Sequence, residues 1–193
     1  MSVQFKILID NNSQEEKILR TKAKKILFPL SKEIFKIAQQ MKDYVDFGKD
    51  EEKRSKYKVI KSYGIAAPQL GHSLRMFYVS VPDSYNSLKV VSDSEKLFSI
   101  FLINPILISY QNQYCSFSNG ESCLSVPVDH PGPIKRSVSI TIKGYSLDDK
   151  KNITLEAKGR MAIIIQHELD HLQGILYYDK IIKDKAELKN IRF

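Results

Sequence analysis

The chain has 193 residues, 42% of them hydrophobic, enough to bury a core in one domain without covalent staples. Thirty Lys and Arg against 22 Asp and Glu leave a formal charge of +8, but the basic residues are scattered. That scatter argues against sequence-specific nucleic-acid binding and leaves the surplus to compositional bias. No apolar run reaches the length of a membrane span, no secretory-signal pattern opens the chain, and Cys115 and Cys123 are its two cysteines, so a cytoplasmic protein with reduced thiols is expected.

The first clear element is a helix entered at Ser31, an N-cap residue, with Leu30 placed to staple against Phe35. Ile34, Ile37, Ala38, Met41, Tyr44 and Val45 carry its apolar stripe, and Gly48 stops it. The highly charged stretch 49–58 reads as a solvated loop or frayed helix. Strand patterns rich in Val, Ile, Phe, Tyr and Thr follow at about 74–81, 100–109, 138–145 and 152–157, with a Ser- and Asp-containing surface insertion over 82–96. Gly159 precedes a helix whose residues Met161 to Ile165 are apolar all round, as expected of an interior helix. A charged C-terminal helix is expected over about 180–193. The whole, residues 1–193, reads as a single α+β domain: a central buried helix packed on mainly antiparallel sheets, with helices toward both ends.

The buried helix runs into Gln166-His167-Glu168-Leu169-Asp170-His171. Residues i and i+4 of a helix share a face, so His167 and His171 can grip one metal ion while Glu168 handles a proton. A catalytic ion keeps about three protein ligands and one open position, so a third ligand is needed. The downstream acids Asp179, Asp184 and Glu187 lie in a Lys-rich stretch, whereas the turn-like segment Gly120-Glu121-Ser122-Cys123-Leu124-Ser125-Val126-Pro127 offers the thiol of Cys123 upstream. Asp170 faces away from the ligand pair, which leaves it either a supporting or a capping role. Tyr63, Ile163 and Ile164 are candidates to line an apolar pocket.

Three segments in order resemble peptide deformylase, which removes the formyl group from the initiator methionine of new bacterial and organellar chains. Gly64-Ile65-Ala66-Ala67-Pro68-Gln69 is similar to that family's first motif, Glu121-Ser122-Cys123-Leu124-Ser125 to its second, and the His-containing hexapeptide to its third. The long gap between the first two, and the Phe28-Pro29-Leu30-Ser31 helix entrance, resemble the longer subtype of Gram-positive bacteria and their relatives. The resemblance implies metal ligands Cys123, His167 and His171, with Glu168 as general base and then acid. It implies stabilisation of the formyl oxyanion by the Gln69 amide and the Leu124 N–H, and a substrate groove along Gly64 and Ser122. Glu121 would stand beside the metal and need a cation, for which Arg136 is the candidate. Ser62 and Ser122 occupy positions where the family usually has Gly; neither is a ligand or proton carrier, so they bear on groove shape.

The resemblance implies one divalent ion, Fe(II) physiologically, although a Cys/His/His set also accepts Zn(II), Ni(II) or Co(II). The substrates would be N-formylmethionyl nascent peptides. Ribosome contact through the Lys-rich 180–189 segment is suggested by the charge, with no membrane partner. Two other readings compete: a zinc HExxH endopeptidase, which requires a ligand after His171, and a non-catalytic ribosome- or RNA-binding protein with a structural metal, which requires a fourth ligand such as Cys115.

Overall fold

The apolar runs at 76–82 and 97–103 are nearly continuous because both faces of these strands are covered. A computed structural model describes residues 5–82, 97–189 and 191–192. Along them run α1 (Ser13–Leu19), α2 (Lys32–Phe47), α3 (Glu51–Tyr57), β1 (Gly64–Ala66), a 3-10 turn (Ala67–Leu70), β2 (Met76–Pro82), β3 (Leu97–Tyr110), β4 (Tyr114–Cys115), β5 (Arg136–Ser137), β6 (Ser139–Ser146), β7 (Lys151–Lys158), α4 (Gly159–His171), a 3-10 turn (Tyr177–Lys180), α5 (Lys185–Leu188) and β8 (Ile191–Arg192). The main sheet is antiparallel, in the order β1-β2-β3-β6-β7; a smaller sheet runs β5-β4-β8, with β4 and β8 parallel.

Alternation along the strands divides the core into two layers. Phe77, Val79 and Val81 of β2, with Ile100 and Leu102 of β3, pack with Met161, Ala162, Ile164 and Ile165 of α4. Met76, Tyr78, Phe101 and Ile103 point the other way, onto Ile34, Ile37, Ala38, Met41, Tyr44 and Val45 of α2. The sheet is thus sandwiched between the two long helices, and α4 is buried because the sheet covers it. At the β3–β6 register shift Asn104 takes φ 52, and its side-chain amide bonds both the N–H and the C=O of Ile26. Asn tolerates that conformation better than a branched residue would.

All six residues of the predicted α2 stripe are buried, and Ser31 accepts the Ile34 N–H as N-cap. Phe35 is 50% exposed. The charged stretch at 49–58 is a true two-turn helix, α3, because Asp50 caps it and Glu51 and Glu52 complement its N-terminus. The insertion expected over 82–96 falls, beyond Pro82, outside the described residues. The C-terminal helix expected over about 180–193 is corrected to the single turn α5. Its surroundings explain the shortening: Ile181 bridges Ile134, Ile182 N–H bonds the Pro133 carbonyl, and Ile191 is buried in a strand paired to β4. These apolar anchors bind in extended backbone, which a continuous helix would forbid.

Candidate metal centre and active site

Helix α4 enters from the core and presents His167 and His171 on one face, with ring centroids 4.9 Å apart. Cys123 reaches the same point from a tight turn in which it bridges Val126. Its Sγ lies 3.2 Å from His171 Nε2, and the donor atoms of Cys123, His167 and His171 all fall within 4.8 Å of one another. One soft thiol and two imidazoles at that spacing fit a divalent transition metal. Among the described residues Cys115 is not part of the cluster, so three donors converge and a tetrahedral ion would keep one open position.

Glu168 lies beside these donors, 4% exposed, with Oε2 buried and bonded to nothing among the described residues. Burial pushes its carboxyl up to about 7, against the opposing pull of His167. Gly64 makes room for it: a Cβ there would sit 2.4 Å from Glu168 Oε1 and 2.9 Å from its Cδ. Gln69, in the 3-10 turn after β1, is held the right way round by its neighbours. Its Oε1 accepts the Ala66 N–H at 2.9 Å, so its NH₂ must face the cluster, where Nε2 stands 3.4 Å from Ser125 Oγ and 3.5 Å from Cys123 Sγ. The Leu124 N–H donates to no acceptor among the described residues. Segment 8–10 ties the two loops together, with Leu8 N–H on the Gln69 carbonyl and Asp10 N–H on that of Ser125.

Behind the donors runs a chain of charges. His167 Nδ1 is 2.7 Å from Glu121 Oε2, and Arg136 grips both Glu121 oxygens, Nε at 2.7 Å and Nη2 at 2.8 Å. The third arm, Nη1, bonds Asp170, whose other oxygen accepts from Lys180. Burial would raise the Glu121 carboxyl, but the hydrogen bonds from Arg136 and His167 prevail and hold it at about 2. Arg136 is 1% exposed and is delivered by β5, which Gln166 fixes to α4: its side chain bonds both the N–H and the C=O of Ser137.

The structure therefore brings Gln69, Leu124, Gly64, Glu121, Arg136 and Glu168 to the Cys123–His167–His171 cluster. Ser122 is exposed and, like Ser62, is not at positive φ, so neither serine is strained. The positive φ in this loop belongs to Gly120, at +77, where a Cβ would meet the Gly132 carbonyl at 2.9 Å. Ile164 packs in the sheet–α4 layer, against which Tyr63 is also packed, and Ile163 is buried one turn before His167. Sequence reasoning missed Ser125, Gln166, Lys180 and Tyr177, whose ring stacks on His167 at 6.2 Å. A signal existed only for Ser125 and Gln166, which are the last residue of the second motif and the first of the third. A separate open depression of about 520 Å³, lined by Asp46, Lys49, Asp50, Lys53, Tyr78, Ser80 and Ser99, shares no residue with the cluster, and its charges pair among themselves.

Comparison with known proteins agrees with this geometry. The polypeptide deformylase family model matches residues 7–187. A peptide deformylase of Lacticaseibacillus casei is 41% identical over 168 residues, 87% of this chain and 86% of that protein. Peptide deformylase 2 of Geobacillus stearothermophilus is 40% identical over 163 residues, 84% of this chain and 83% of that one. The Met-Ala-Ser-bound crystal structure of class I type b peptide deformylase from Acinetobacter baumannii matches 94% of this chain and 100% of its own, with TM-score 0.69 and 27% identity. These likenesses support neither the endopeptidase nor the RNA-binding reading. The chain belongs to the polypeptide deformylase family, metal-binding hydrolases that remove the formyl group from N-formylmethionyl peptides.

Proposed function

We propose that deformylation is carried out here by Glu168, Gln69 and Leu124 around a divalent ion held by Cys123, His167 and His171. The observation that carries the reading is the convergence of those three donors beside a buried, unpartnered Glu168 oxygen and an inward-facing Gln69 amide. When bound, the ion supplies Lewis-acid polarisation and makes water acidic enough to act as a nucleophile near neutral pH. Glu168 takes the proton of the attacking water and returns it to the departing methionine amine, a double role suited to a carboxyl poised at about 7. Charge that develops on the formyl oxygen meets the Gln69 Nε2–H and Leu124 N–H donors, each worth on the order of 3 kcal/mol in the transition state. Gly64 and Ser122 border the groove for substrate backbone, and Tyr63, Ile163 and Ile164 form the methionine pocket. The Acinetobacter baumannii relative was solved with Met-Ala-Ser bound, which supports a peptide with N-terminal methionine as the ligand here.

Fe(II) is the physiological ion in this reading, with Zn(II), Ni(II) or Co(II) as substitutes in purified protein. The substrates are nascent chains in the cytoplasm. Lys183 and Lys189, both exposed, are the ribosome-facing charges. Formate release from formyl-Met-Ala-Ser by metal-loaded protein tests the reaction: wild type releases formate and Glu168→Gln does not, whereas no release by loaded wild type overturns the proposal. Anaerobic purification with metal analysis tests the ion, and activity that is equal with zinc and insensitive to air overturns iron. Co-sedimentation with ribosomes that survives charge reversal at Lys183 and Lys189 at low salt overturns the ribosome contact.

A further inference from the structure

Lys180 was expected on a solvent-facing helix, yet its ammonium is held 2.5 Å from Asp170 Oδ1. We propose that Lys180 is a positioning residue for the metal centre, acting through Asp170, Arg136 and Glu121 on the His167 imidazole. The inference rests on the ligand assignment given above. Its path is continuous: Lys180 to Asp170, Asp170 to Arg136, Arg136 by two bonds to Glu121, and Glu121 to His167 Nδ1.

Charge counting shows what Lys180 adds. Arg136 faces two carboxylates, Glu121 and Asp170, in a space where its own side chain is 1% exposed. One guanidinium spans two carboxylates, and Lys180 gives Asp170 a cation of its own. It also takes the second Asp170 oxygen, so the carboxylate plane is fixed and Arg136 keeps its two bonds for Glu121. Without Lys180, Asp170 competes more strongly for the guanidinium, and Glu121 is freer to turn away from His167. Direct partners of metal-bound histidines affect metal retention by roughly 10- to 100-fold. Lys180 acts three contacts further out, with a side chain 38% exposed and screened by solvent, so a smaller effect of about threefold to tenfold is expected.

The turn that carries Lys180 is secured without it. Leu176 N–H bonds Asp179 Oδ2 at 2.9 Å, Asp179 pairs with Arg20, and the Tyr177 ring stacks on His167. Removing the ammonium therefore leaves the turn in place.

The test uses the full chain loaded with Co(II), with metal release to excess EDTA followed by loss of the visible Co(II) bands while circular dichroism shows the fold intact. Lys180→Met speeds release about threefold to tenfold, Lys180→Arg restores it to within about twofold of wild type, and Lys180→Met adds nothing in an Asp170→Asn background. Release from Lys180→Met within about twofold of wild type overturns the inference, as does an additive effect in the Asp170→Asn background. Should Lys180→Met fail to fold, Lys180→Gln is judged by the same limits. A wild-type chain that shows no cysteine-dependent Co(II) band overturns the ligand assignment, and this inference with it.

Discussion

Gly64→Ala gives a sharp test of how Glu168, the proposed base, is placed. A Cβ at this position would lie 2.4 Å from Glu168 Oε1, 2.9 Å from Cδ and 3.1 Å from Cγ, and ordinary contact begins near 3.4 Å. Glu168 must therefore retreat by about 1 Å, a displacement that typically costs about 100-fold in rate when it moves a catalytic group off line. Backbone strain plays no part, because Gly64 is not at positive φ, and alanine there trims the freedom of the unfolded chain by about 0.4–1 kcal/mol. The expected signature is a fall in kcat/KM for formyl-Met-Ala-Ser of about two orders of magnitude, with bound metal and Tm near wild type. The double variant Gly64→Ala/Glu168→Gln should be no slower than Glu168→Gln alone, since both changes act on one carboxylate. Wild-type activity in Gly64→Ala, or multiplicative loss in the double variant, would refute the reasoning.

Other expectations concern the charges behind the metal donors. Arg136→Met takes two bonds from the buried Glu121 and one from Asp170, leaving them only His167 and Lys180, and should cost about 3–5 kcal/mol in urea unfolding; a loss below about 1 kcal/mol would contradict the pairing seen here. Glu121 is held at about 2 against an ordinary 4.5, so its stabilising contribution is complete above about pH 4.5 and disappears as pH falls toward 2. The stability gap between wild type and Glu121→Gln should accordingly shrink by about 3 kcal/mol across that window, and a gap independent of pH counts against it. Because burial raises the Glu168 carboxyl to about 7, metal-free protein near pH 7 is partly protonated there, and a nearby cation should expel that proton. Calorimetry of Zn(II) binding in buffers of different ionisation enthalpy should find fewer protons released by Glu168→Gln than by wild type, and an equal count would disprove the assignment.

Local pattern made much of this molecule legible. The α2 stripe follows from period 3.6, the interior helix from its all-round apolar run and the four strands from enrichment in Val, Ile, Phe, Tyr and Thr, all of which local sequence carries. The three converging donors followed from helical spacing and motif resemblance. The charge chain did not, because its order depends on β5 laying Arg136 beside α4, and that placement comes from Gln166 bonding the Ser137 backbone across 29 residues. Asp170, read in helical projection, only faced away from the ligands; what it faces was set by two other segments. The C-terminal stretch was misread because its lysines suggested a solvated helix, whereas Ile181, Ile182 and Ile191 bind in extended backbone. Lys180 looked free for the same reason.

Segment 8–10, which ties the Gln69 and Ser125 loops, is itself anchored from far along the chain: Tyr178 OH bonds Asp10 at 2.9 Å over 168 residues, and Arg20 reaches both Tyr178 and Asp179. Contacts of such separation close late, after the entropy of a very long loop has been overcome. The clamp across the Gln69 and Ser125 loops therefore needs nearly the whole chain, because one half of it lies at Asp10 and the other at Tyr178.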